Sequence, residues 1–280
     1  MAVLFALIAA VAYGLSDFAG GLVARRTSAW SVAVVGQSSS MICTAVVAMI
    51  VSGHATHTDL AWGAAAGIGS GIGTGFLYRG FANGRMGVVA PVSAVGAALV
   101  PVVVGLLGGE RPQWLVWFGV IAALPAIWLV SSSSAPAGDE PPESTGAGFV
   151  DGILAGLGFG ALFATLGQVP GSAGLWPLAL TQLVSVPTVI VLALVLRGAW
   201  RPRGRRVWWA LVAGPLGTTA TAMFLLASQR GYLTVAGVLT SLYPASTVLL
   251  AALVLKERVH RTQAIGLALC AVSVTCVALG

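Results

Sequence analysis

Asp17, in the stretch AYGLSDFAG, stands inside an otherwise uncharged run from Ala2 to Ala24. A carboxyl group within an apolar segment is costly to keep there, and the cost is ordinarily met by a function or by a partner. Two chemistries fit such a group in a cavity: taking up and releasing a proton, or pairing with a cation. The structural alternative is a neutralised carboxyl bonded to nearby backbone, or to Arg25 or Arg26 at the end of the run. Gln37 in GQSSS and Gln182 in TQLVS come next, since each amide offers both donors and an acceptor to a polar solute. Bonds between helices explain these glutamines equally well. Tyr13, Tyr78, Asn83, Ser93, Thr240 and Tyr243 complete the polar and aromatic set expected near a cavity, which holds few polar groups among many apolar ones.

Other chemistries are excluded by what is missing around these residues. The eight acidic residues form no aspartate-rich motif that would hold Mg²⁺ on a diphosphate, which weighs against a membrane-embedded lipid or prenyl transferase. The chain therefore reads as a non-enzyme without a cofactor. His54, His57 and Asp59 in SGHATHTD fall short of a metal-ligand set, so no metal site is expected. The alternating glycines of GIGSGIGTG, Gly67 to Gly75, fit neither G-x-G-x-x-G nor G-x-x-x-x-G-K-[ST], and ATP is not expected as an energy source. Cys43, Cys270 and Cys276 form no disulfide framework and read as small packing residues.

The elements that must position these groups follow from composition. Of the 280 residues 58% are hydrophobic and 8% charged, with a mean hydropathy of +0.95, against about 25% charged residues in an ordinary soluble domain. This is an all-α integral membrane protein. A helix needs about 20 apolar residues to cross a bilayer, and uncharged runs predict ten transmembrane helices at 2–22, 29–51, 60–81, 86–107, 113–131, 150–168, 174–197, 207–228, 232–255 and 261–279. In the third of these, Gly67, Gly71 and Gly75 make one row of small residues and Gly69 and Gly73 a second, so neighbouring helices can approach closely. Gly71 and Gly75 also qualify as points where that helix bends or slides. The net charge of +6 resides in loops and does not point to nucleic acid. Twelve of the fourteen Lys and Arg fall in the loops after odd-numbered spans, among them Arg25, Arg26, Arg79 and the cluster RGAWRPRGRR. The positive-inside rule then places those loops in the cytoplasm and both termini outside a cell membrane crossed many times.

A polar break rich in Ser, Pro and acidic residues, 132–149, reads as a flexible linker between a first unit, 1–131, and a second, 150–280. A shift of 147 residues superposes Gly84 on Gly231, Glu110 on Glu257, Arg111 on Arg258 and Gly119 on Gly266. Five spans per copy force the second copy to enter the membrane inverted, and inverted repeats commonly frame a midplane site that opens alternately to each side. The fold expected is two inverted five-helix repeats around a central cavity. Glu110, Arg111, Glu257 and Arg258 lie at span ends, where they are expected to cap helices or pair across the repeat interface, with gating as the functional alternative.

The segments ASQRGYLTVAGVLTSLYPASTVLLAALVLKERVHRTQAIGLALCAVSV (227–274) and RGFANGRMGVVAPVSAVGAALVPVVVGLLGGERPQWLVWFGV (79–120) resemble the end of the EamA domain of the drug/metabolite transporter superfamily. Each has a small-residue span with proline, a Glu at the membrane edge and a glycine-containing last span. The resemblance implies alternating-access export or exchange of a small metabolite, amino acid or drug-like compound, with protons as a candidate coupling ion and the lipid bilayer as the other partner. A passive channel or a non-transporting membrane partner is the competing class, and it needs neither an acidic coupling group nor a repeat.

Overall fold

The computed structural model describes residues 1–83, 86–132, 145–254 and 260–280. Its regular elements are all helical among the described residues: α1 (Ala2–Ala24), α2 (Ala29–Ile50), α3 (His57–Ala82), α4 (Met86–Leu107), α5 (Trp114–Ser132), α6 (Thr145–Leu166), α7 (Trp176–Val195), α8 (Ala213–Ser228), α9 (Leu233–Thr240), α10 (Tyr243–Val254) and α11 (Arg261–Leu279). Among them, nine stretches are long and apolar enough to cross a membrane, and Trp114–Val130 is a shorter apolar helix. Of the expected linker, Ser132 and 145–149 are helical; its other residues, with Glu257 and Arg258, lie outside the described residues.

Three expectations need correction. The ninth span is two helices, α9 and α10, parted at Ser241 and Leu242. Pro244 supplies the reason, since it lacks an N–H for the carbonyl of Thr240 and its ring crowds that carbonyl; the chain closes instead through a tight turn, Leu242 N–H to Leu239 O at 3.2 Å. The eighth span begins with a 3₁₀ segment, Arg206–Val212, ahead of α8. Helix α6 starts at Thr145 rather than at 150, which carries Asp151 from the expected span edge into the helix, where it is 2% exposed.

Helices from the first half pack mainly against helices from the second. α1 lies on α8 and α10, α2 on α7, α3 on α6 and α7, α4 on α6 and α9, and α5 on α11. Without water to drive association, such contacts depend on close approach and on interhelical hydrogen bonds. The glycines of α3 supply the approach. A Cβ at Gly71 would lie 2.6 Å from Cβ of Thr188 and 2.9 Å from the Ser185 carbonyl on α7, while one at Gly69 would lie 2.7 Å from the Gly158 carbonyl on α6. The row facing α7 runs Gly63, Gly67, Gly71, whereas Gly75 instead meets the ring of Trp30 on α2.

Polar loop residues close helix ends. Thr56 and Asp59 form a capping box on α3, with Thr56 N–H to Asp59 Oδ2 at 2.8 Å and Asp59 N–H to Thr56 Oγ1 at 3.2 Å. Glu110, beyond the end of α4, accepts from the N–H groups of Leu233 and, at 2.9 Å, Thr234, so a carboxylate of the first half caps α9 of the second. Its neighbour Arg111 is exposed.

Candidate functional site

A narrow cavity lies between α1, α2 and α3 on one side and α6, α7 and α8 on the other. Tyr13, Asp17, Gln37, Tyr78 and Gln182 line it, joined by Ser40, Ser70, Thr74 and Thr221, and by Phe159, Leu162 and Gly217. Its free space is about 50 Å³, room for a few waters but far below the 300–1,000 Å³ of a typical solute pocket.

The walls are held by bonds between helices. Gln37 Nε2 donates to Ser70 Oγ at 3.0 Å and to Thr74 Oγ1 at 2.9 Å, tying α2 to α3. Ser16 Oγ donates to the Ala213 carbonyl at 3.2 Å and Ser40 Oγ to the Gly214 carbonyl at 2.9 Å, tying α1 and α2 to α8. The small residues at Ala213 and Gly214 let those helices come close enough for hydroxyls to reach backbone. Tyr78 in turn hydrogen-bonds Ser16.

Three cavity groups are left free. Asp17, 9% exposed, has no hydrogen bond or ion pair with any described residue, so the alternative of a carboxyl tied to Arg25 or to backbone is absent among the described residues. Gln182 is 2% exposed with its Oε1 unpartnered among the described residues, where the buried Tyr13 hydroxyl likewise has no partner. Buried polar groups ordinarily find partners, and unpaired ones ask for an explanation. Among the described residues, no lysine, arginine or histidine lines the cavity.

The other sequence candidates fall nearby or elsewhere. Tyr243 and Ser93 bond to each other at 3.1 Å, and the Tyr243 ring lies 6.3 Å from that of Tyr13, which also stands edge-on to Phe163 at 5.7 Å. Phe163 stacks on Phe224 at 4.4 Å, so an aromatic cluster adjoins the cavity at Tyr13. Thr240 is buried at the α9 break with its hydroxyl unpartnered and does not line the cavity. Asn83 follows the last turn of α3, exposed and away from it.

One ion pair escaped sequence reading. Arg79 Nε donates to Asp151 Oδ1 at 2.9 Å and its Nη2 also reaches that oxygen, while the guanidinium lies 4.5 Å from the Phe76 ring centre. Arg79 is thus not a loop residue but part of α3, and Asp151, like Asp17, is an acidic residue within a helix. An arginine and an aspartate each near the end of an expected span was the available signal. His54, His57 and Asp59 hold no metal-ligand cluster among the described residues.

A helical multi-pass membrane protein with a polar cavity between two sets of three helices is the class these features define. Residues 146–279 match the model of the EamA-like transporter family, so the second part of the chain is similar to a transporter domain. No curated protein matches the sequence. Over 99% of its length the chain is similar in fold to 95% of a chain in a crystal structure, at a TM-score of 0.70 and 16% identity.

Proposed function

We propose that this protein is a secondary transporter that exports or exchanges a small organic cation, such as a solute with a protonated amine, through this cavity. The observation that carries the reading is Asp17: a buried carboxyl facing the cavity beside the free acceptor of Gln182 and, among the described residues, without a protein partner or a basic side chain on the walls. A cation with N–H donors satisfies both the charge and the acceptors. An anion would meet a carboxylate and no compensating cation. Because a proton and a solute cation compete for the same carboxyl, Asp17 couples proton uptake on one side to solute release on the other.

Alternating access rests on the proposed inverted repeat of 1–131 and 150–280. What supports it is the exchanged packing of the halves, α1 on α8 against α3 on α6, with α2 on α7 and α5 on α11. The α5–α11 contact adds register: Gly119 meets Ser273 and Val277 while Gly266 meets Ala126 and Val130, and the shift of 147 residues carries each member of the first set onto its counterpart. The cavity at about 50 Å³ then belongs to a closed intermediate between two open ones.

The test is counterflow. Vesicles containing the purified protein and loaded with a stabilising amine should accumulate the labelled amine from outside, and Asp17→Asn vesicles should not. Uptake that is linear in concentration, unaffected by internal load, would indicate a pore instead. Orientation is tested separately by a cysteine placed in the 132–149 linker: protection from an impermeant thiol reagent on intact cells fits odd-numbered loops in the cytoplasm, and labelling contradicts it.

A further inference from the structure

We propose that the C-terminal end of α7 and the loop after it form a site for the headgroup of an anionic phospholipid. A cleft of about 360 Å³ opens there, lined by Leu194, Arg197, Trp200, Arg201 and Arg203. Three arginines line it, with the Arg201 guanidinium 5.5 Å from the centre of the Trp200 ring. No carboxylate pairs with them among the described residues, and the sequence has no acidic residue between Asp151 and Glu257. Planar guanidinium forks match phosphate oxygens in pairs, which is the recognition that such a set supplies.

The loop is built rather than loose. Ser31 Oγ on α2 donates to the carbonyls of Ala199 at 2.9 Å and Arg201 at 3.0 Å, and Gly198 sits against the Trp30 ring. Backbone geometry adds an independent observation. α7 ends with Gly198 N–H on the Ala193 carbonyl at 2.7 Å and Arg197 N–H on the Leu194 carbonyl at 3.2 Å, a closure whose left-handed residue is usually glycine. Here it is Arg197, at φ 54°, the one non-glycine residue with positive φ among the described residues. Topology would be served by an arginine anywhere in this loop. A strained position occupied by arginine, with glycine next to it in sequence, points to a use for that side chain at that point.

Position selects a lipid over a dissolved anion. Val191, Leu194 and Val195 form an exposed apolar ridge on α7 that runs to the cleft, and Trp208 and Trp209, which follow the cleft's arginines in the sequence, are 53% and 70% exposed. Tryptophans at that level mark the interface between hydrocarbon and water, where basic pockets take anionic headgroups. The phosphate enters the arginine cleft, and the acyl chains lie along the ridge.

The experiment uses the whole chain purified in neutral detergent, with phosphatidylglycerol, phosphatidylcholine, inorganic phosphate and glycerol 3-phosphate as probes. Thermal unfolding and native mass spectrometry read binding to the wild type, to Arg197→Gly and to Arg201→Gln/Arg203→Gln. Phosphatidylglycerol should raise the wild-type melting temperature and remain bound, phosphatidylcholine should do neither, and phosphatidylglycerol should bind about fivefold more weakly to Arg197→Gly and about thirtyfold more weakly to the double variant. Without lipid, Arg197→Gly should melt higher than wild type, because glycine relieves the left-handed backbone; that readout separates lost binding from lost folding. Equal binding of phosphatidylglycerol by wild type and variants overturns the site. Stabilisation by free phosphate or glycerol 3-phosphate as large as that by the lipid overturns its assignment to a lipid.

Discussion

The α5–α11 seam and the cavity are both places where the halves of the chain meet, yet they treat the halves differently. At the seam the halves are interchangeable, Gly119 on Ser273 and Val277 answering Gly266 on Ala126 and Val130. At the cavity they are not. Asp17 has no acidic counterpart in the second half, where the matching stretch of α6 reads GALFA, 160–164. Gln37 is bonded to Ser70 and Thr74, whereas Gln182 keeps a free acceptor. On the proposed repeat, the matching parts would frame the molecule and the departures from matching would supply its chemistry.

The largest effect should come from filling the frame. Gly119→Leu and Gly266→Leu each place a side chain on backbone and neighbouring side chains, and each should prevent recovery of folded protein, since overpacking costs roughly 1–3 kcal/mol even where neighbours yield. Gly71→Leu should do the same at α7. Monodisperse elution of either seam variant alone would mean that the two sides of the seam are not equivalent.

Next comes the ion pair. Arg79→Ala leaves Asp151 buried without its cation and should destabilise the protein by about 3 kcal/mol, read as a lowered unfolding midpoint in detergent. Adding Asp151→Asn should recover much of that loss. If it does not, Arg79 contributes through its contact with Phe76 instead.

Smaller still, and most useful for the asymmetry, are the two glutamines. Gln37→Leu strips a donor from two hydroxyls and should cost about 1–2 kcal/mol. Gln182→Leu removes an acceptor that no described residue uses, so it should leave stability unchanged or raised while weakening solute binding. Equal losses of stability from both would remove the distinction between a wall residue and a site residue.

Much of this frame was legible in the sequence, because long uncharged runs between charged loops leave few alternatives to membrane-crossing helices. The spans at 29–51 and 86–107 coincide with α2 and α4 to within a residue. The break at Ser241–Leu242 was less legible, since Pro91 and Pro101 sit within the continuous α4 and only context separates them from Pro244. Asp17, Tyr13, Gln37, Tyr78 and Gln182 could be picked out as rare polar or aromatic groups in apolar runs, and the structure brings these five together. Serines and threonines could not. Thr188 spends its hydroxyl on the Val184 carbonyl of its own helix at 2.8 Å, while Ser40 reaches across to α8 at 2.9 Å, and nothing in residue type tells the two apart. Asn83 misled for the opposite reason: it is polar and close in sequence to Tyr78, but it lies past the end of α3.

The most direct measurement is thermal unfolding of the detergent-purified wild type and of Asp17→Asn against a panel of monoamines, diamines, quaternary ammonium compounds, amino acids, sugars and carboxylates. A ligand at a hundred times its dissociation constant stabilises the native state by about 2.7 kcal/mol. The proposed site predicts that the stabilising compounds are cations, that their effect is lost in Asp17→Asn while the variant itself unfolds normally, and that it fades as acid protonates the carboxyl. Stabilisation by anions or sugars, or by cations equally in Asp17→Asn, would contradict it.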